Sequence, residues 1–328
     1  MHTGSHFKIS EFLFWTRRDI ICAIIIAAIP TILFQVFDLK WISIPWVPVA
    51  LVGTATAFVV GFKNTQTYNR LWEARQIWGA IVNTSRTWGM MGKDFVNAEK
   101  KESEILIYRH CAWLTALRFQ LRKPQPWENN NKSHFKEYSK HYSIPEWEGK
   151  LEEELKKYLS GEEYKYVLEK KNRATQLISL QSKHLKALRK EGKIAHYEYV
   201  EMERQLSFLY DHQGKCERIK NFPYPRQFSS VNLFFVWLLV LMLPFGMLNE
   251  FQKLGENFVW LTIPFSAIVS WVFTSLEKVG EATENPFEGG ANDIPMAALS
   301  RTIEIDLRDM LDESQLPEPI TPKNNILM

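Results

Sequence analysis

Ala50, Thr54, Phe58 and Phe62 recur every four residues in a stretch without charge, so a helix sets all four on one face. Gly53, Ala55, Thr56 and Ala57 crowd the same turns. Two kinds of chemistry fit this composition. Small side chains let neighbouring helices approach closely. Alternatively, aromatic rings stacked along an axis narrow an aqueous pore that gates by wetting and dewetting. Covalent chemistry has no comparable candidate. The eight histidines show no H-E-x-x-H spacing, and His134 and His141, beside a charged loop, suit a solvated face better than a metal site. There is no G-x-x-x-x-G-K, G-x-S-x-G or G-x-G-x-x-G, and Gly289-Gly290 reads as a turn. We therefore expect no enzyme and no cofactor.

The elements that must carry that face are apolar runs. Four stretches, 20–37, 41–62, 228–249 and 257–276, have the length of a bilayer crossing and no Asp, Glu, Lys, Arg or His. A proton-driven carrier keeps an ionisable group at mid-membrane, and none is available here. Pro30, Pro45, Pro48, Pro244 and Pro264 lie within or at the edges of these runs, where kinked packing or a wet cavity must satisfy the freed backbone groups.

Orientation follows from the cations. Arg17 and Arg18 precede the first run, Lys63, Arg70 and Arg75 follow the second, Lys215, Arg218, Lys220 and Arg226 precede the third, and Lys278 follows the fourth. The two short connections hold only Lys40 and Lys253. Both termini and the long middle are thus expected on the cytoplasmic side of the cell membrane. The N-terminus lacks the apolar core and cleavage site of a signal peptide. A net charge of +3 implies no nucleic-acid partner, and twelve tryptophans suit membrane interfaces. Cys22, Cys111 and Cys216 are too few and too far apart for a disulfide framework, so reduced thiols are expected.

The middle, 63–227, reads as helical. Arg70 and Glu73 fall three apart, the spacing of an ion pair within one helix. Apolar periodicity predicts further helices over 149–170, 172–189 and 197–209, broken by Pro124-Gln125-Pro126, the Asn129 run and Gly192. A last helix is expected over 294–311, then an extended Pro-rich tail from Leu316.

Three motifs carry a family resemblance. The first is Gly61-Phe62-Lys63-Asn64-Thr65-Gln66-Thr67-Tyr68-Asn69-Arg70-Leu71-Trp72-Glu73-Ala74-Arg75, continuing into Ile77-Trp78-Gly79 and Val82-Asn83-Thr84-Ser85-Arg86. The second is Gly214-Lys215-Cys216-Glu217-Arg218-Ile219. The third is Asn285-Pro286-Phe287, with Asp293-Ile294-Pro295-Met296 and Arg301-Thr302-Ile303-Glu304 beyond it. In order and spacing these resemble the bestrophin family, particularly its bacterial members, over nearly the whole chain.

The resemblance implies an all-α membrane protein with a single bestrophin-like domain over 1–328, four membrane helices per subunit and cytosolic helical regions at 63–227 and 277–328. It implies a homopentamer around one central pore. Its neck falls at Thr54, Phe58 and Phe62, with Thr54 where the family usually has Ile. A second, cytosolic restriction falls at Tyr197, with Ile194 as the fallback. Animal members hold calcium in an acidic cluster after Asn-Pro-Phe. Here the cluster is degenerate, leaving Asn285 and Asp293 as turn and helix-cap residues and no metal site. The implied activity is passive passage of chloride and other anions. A cation-selective channel of the same fold and a non-conducting membrane scaffold are the alternatives.

Overall fold

Charge-free apolar runs and helix-compatible polar segments both become helices, and a computed structural model describes residues 1–328 as predominantly helical. The helices are α1 (Ile9–Gln35), α2 (Trp46–Asp94), α3 (Lys100–Leu121), α4 (Ser133–Tyr138), α5 (Pro145–Glu148), α6 (Leu151–Leu155), α7 (Gly161–Leu168), α8 (Arg173–Lys190), α9 (His196–Asn221), α10 (Arg226–Gln252), α11 (Thr262–Thr283) and α12 (Met296–Met310). The only β pairing is in isolated bridges, His2 with Ile326 and Lys323 with Ile326.

The chain divides into two compact units. The apolar unit is Gly4–Asn69 with Pro223–Glu284, and the polar unit is Met1–Thr3, Arg70–Phe222 and Asn285–Met328. Helix α2 gives its first part to one and its second to the other. It is 49 residues long, or roughly 74 Å at the α-helical rise. The change from apolar to polar sequence at Lys63 does not interrupt it, because that stretch contains no proline and its residues tolerate helix well.

Four helices have the length and apolarity to cross a membrane: α1, α2, α10, and α11 with the 3₁₀ turn Glu256–Leu261 before it. In the apolar unit α1, α10 and α11 pack on one another. Three buried clusters tie the unit: Val60 with Val236 and Val240, Val49 with Leu239 and Leu243, and Phe34 with Leu248 and Val259. Pro48 and Pro264 lie in first turns, where the missing N–H costs nothing, while Pro30 and Pro244 are inside α1 and α10. Large apolar side chains such as Ile21, Ile25, Ile29, Leu238, Leu241 and Ile268 remain exposed, as a lipid-facing surface requires.

The polar unit has its own core, built on Trp78, Trp88, Trp113, Leu106 and Leu117. Here α3 packs on α8, α6 and α12, and α8 on α9. Asn172 caps α8 by accepting from Thr175 N at 3.0 Å. Gly192, at φ +74°, ends α8 in a Schellman turn: Lys193 N donates to Leu188 O and Gly192 N to Arg189 O. The stretch 149–170 is two short helices, α6 and α7, separated near Ser160, instead of the one helix its periodicity suggests. Arg70 donates to the carbonyls of Ile219 and Phe222 at the end of α9, and Glu73 pairs with Arg218. A cation at a helix C-terminus meets carbonyls that have no intrahelical donor. Cys111 and Cys216 are buried free thiols, and Cys22 is half-buried.

Candidate functional site: the uncovered face of helix α2

Within the apolar unit, α2 has two opposite faces. Val49, Thr56, Val60, Lys63 and Thr67 are buried. Thr56 donates to Val52 O at 2.8 Å, and Gly53 lies beside Leu239. Gly246 of α10 allows a close approach, since a Cβ there would stand 2.8 Å from Val49 Cγ2. This is the packing that small residues permit. Thr54, Phe58 and Phe62 lie on the other side, with Phe58 77% and Phe62 45% exposed. Close packing thus accounts for one face of α2 and leaves the Thr54, Phe58 and Phe62 face uncovered.

The uncovered face is chemically plain. Thr54 is exposed and its Oγ1 donates to Ala50 O at 2.9 Å, so its proton is used and the oxygen keeps accepting capacity. Phe62 leans on Phe228, ring centroids 6.1 Å apart, whereas Phe58 stands clear of the unit. No charge lies on the face. Lys63, next to Phe62, is turned inward and buried, its Nζ 2.6 Å from Glu277 of α11. Lys278 in turn pairs with Asp19 of α1 and lies over the Trp15 ring. These pairs close the ends of the apolar runs, and sequence reasoning did not find them. The available signal was the acid–base pair Glu277-Lys278 placed directly after a charge-free run.

In the polar unit Tyr197 begins α9 and is 85% exposed, while Ile194, three residues earlier, is 3% exposed and sits in the core. Only Tyr197 can present its side chain to an aqueous path.

The loop after α11 is a buried polar hub. Asn285 Nδ2 donates to Glu288 Oε2 at 3.1 Å, and Asn129 N donates to the same oxygen at 2.9 Å. Asp293 Oδ2 accepts from Gly289 N at 2.7 Å and lies 3.4 Å from Arg122 Nη1. Lys220 pairs with Glu128 close by. Asp293 is therefore not the helix cap expected of it. Pro295 holds the N-cap position of α12, and the Asp293 carboxylate turns back to close its own loop. Burial lifts Glu288 to about 8, aided by the neighbouring Asp293, and lifts Asp293 to about 6 against the pull of Arg122. Such a set does not fit calcium, which takes six to eight oxygens and several ionised carboxylates. Here the Asp293 carboxylate closes its own loop and faces a guanidinium, and Asn285 offers its amide N–H₂ to Glu288.

Four apolar helices and a bare aromatic face on one of them define an all-helical membrane protein. The chain belongs to the bacterial/fungal bestrophin family, whose sequence model matches residues 16–309. It is 27% identical over 297 residues to the voltage-dependent anion channel-forming protein YneE of Escherichia coli K12, covering 88% of this chain and 85% of that protein. It is 25% identical over 288 residues to the voltage-dependent anion channel-forming protein RSc3414 of Ralstonia nicotianae, covering 87% and 84%. Among solved structures, a bacterial bestrophin homolog from Klebsiella pneumoniae superposes with a TM-score of 0.77 at 24% identity, over 90% of this chain and 98% of that one.

Proposed function

We propose that the chain is the pore-forming subunit of a homopentameric channel that passes chloride and other inorganic anions through a neck lined by Thr54, Phe58 and Phe62. The observation that carries this proposal is the bare face of α2, opposite the face that packs on α10. A large phenyl ring held in neither core nor ion pair needs an environment. Copies arranged about an axis provide one, in which each ring faces the others across a narrow path. Ring edges carry positive character and favour anions, and the names of YneE and RSc3414 support the same sign. Thr54 adds an oxygen with accepting capacity to the outermost ring of the neck, making it easier to wet than an aliphatic residue.

Tyr197 forms the second restriction, since Ile194 is buried. Residues 63–227 and 277–328 lie in the cytoplasm, and both termini with them, as the distribution of Lys and Arg supports. Conduction does not depend on calcium, given the occupied carboxylates of Glu288 and Asp293.

The test combines native mass spectrometry with single-channel recording. Five copies are expected, with Phe58→Ala raising conductance or open probability at least severalfold. An unaltered Phe58→Ala trace in a conducting protein removes the neck from α2. A stable monomer removes the pore.

A further inference from the structure

The polar unit contains a cavity of about 750 Å³ between α3, α8 and the α6–α7 connection, well within the range of small-molecule sites. Nothing in the proposed conduction path uses it. Its lining has a surplus of cations. Lys101, Arg109, Lys157 and Lys183 face it, against Glu104 and Glu163. Its walls are apolar, including Ile105, Leu180 and Ala187, and the rings of Tyr108 and Tyr158 stand 6.3 Å apart beside it.

Arg109 is the anchor, and it is almost wholly buried. Its Nη1 donates to Gln181 Oε1 at 2.9 Å and meets His184 Nδ1 at 3.1 Å, while Nη2 pairs with Glu163. Its Nε–H is buried and has no partner. An idle donor on a buried cation is costly, and because this one is closed to solvent a carboxylate oxygen meets it only by shifting the Arg109 side chain. Lys101 and Lys183 are exposed at the rim, free to swing toward a second oxygen.

A bonded chain leads away from the anchor. His184 Nδ1 accepts from Arg109, so its Nε2–H faces Glu102 Oε2 at 3.0 Å. Burial and Arg109 hold the pKa of His184 down, which keeps the ring neutral and able to do both. Glu102 Oε1 lies 3.3 Å from Lys193 Nζ, and the main chain of Lys193 binds both Leu188 O and Asn97 N. Lys193 is four residues before Tyr197.

We propose that this cavity binds a small organic anion, a carboxylate on an aromatic or aliphatic body, and that its occupancy stiffens the segment from Lys193 to Tyr197. Charge, an unfilled buried donor and apolar walls converge on that ligand class, and the Arg109–His184–Glu102–Lys193 contacts supply the route. Binding and stiffening stand apart from the channel reading.

Phthalate serves as the probe, because its two charges keep it out of detergent micelles. Titration calorimetry on the purified full chain is expected to show one site per chain. Binding should weaken at least tenfold in Lys101→Glu/Lys183→Glu and persist in Lys186→Glu, an exposed lysine of α8 outside the cavity. Hydrogen exchange across 193–197 should slow on adding phthalate to the parent and to Lys186→Glu, but not to the double variant. No saturable binding, or equal affinity in the double variant, overturns the site. Binding without protection at 193–197 overturns the coupling.

Discussion

At the scale of single residues, charge placement decides most. Lys63 and Glu277 are almost fully buried together, and Glu277 Oε2 has no other partner. Removing one member strands a buried charge, whereas removing both does not. Lys63→Met is therefore expected to cost about 3 kcal/mol or more, most of it recovered in Lys63→Met/Glu277→Met, when thermal midpoints are compared in detergent. Equal midpoints for the single and double variants would refute the pair. His110 has the opposite problem. It is buried among Trp88 and Trp113, bonded to Ser85 Oγ at 2.8 Å, and burial pushes its pKa down to about 3. An unfolded histidine titrates near 6.5. Between those values the unfolded chain binds a proton that the fold excludes. The stability from neutral His110 is therefore complete above about 6.5 and is lost as pH falls toward about 3. Thermal melts of His110→Gln should show a shallower loss across that window than the parent. Parallel curves would show that other groups govern the acid transition.

At the scale of elements, packing depends on where glycine permits approach. Gly246 of α10 meets Val49 and Trp46 of α2, with a prospective Cβ at 2.8 and 3.3 Å. Gly246→Ala must push the helices apart or twist Val49, and a loss of about 1–3 kcal/mol is expected from overpacking. A thermal midpoint equal to the parent's would mean that α10 and α2 tolerate a wider spacing. Much at this scale was legible in the sequence. The four charge-free runs gave four long apolar helices, Asn172 and Gly192 marked the bounds of α8, and the four-residue recurrence put Thr54, Phe58 and Phe62 on one side of α2. Other features were not legible, for physical reasons. The onset of charge at Lys63 resembles a boundary, yet a helix continues wherever its backbone is satisfied, so α2 runs on to Asp94. Periodicity shows that residues share a face without showing which face is covered. That needed the packing of Thr56 and Val60 against α10. The partners of Lys63, Asp19 and Arg70 lie more than a hundred residues away in the chain and leave no local trace.

At the scale of the whole molecule, the bare face of α2 makes sense only if copies or lipid meet it. In the proposed channel copies of the chain meet it, and the lack of charge on that face would leave selectivity to ring edges and hydroxyls. Anion passage is then the central claim. It is tested most directly by the reversal potential of purified protein in a planar bilayer under a KCl gradient. We predict reversal near the chloride equilibrium potential. Reversal near the potassium potential would contradict anion passage and assign the bare face of α2 to cations.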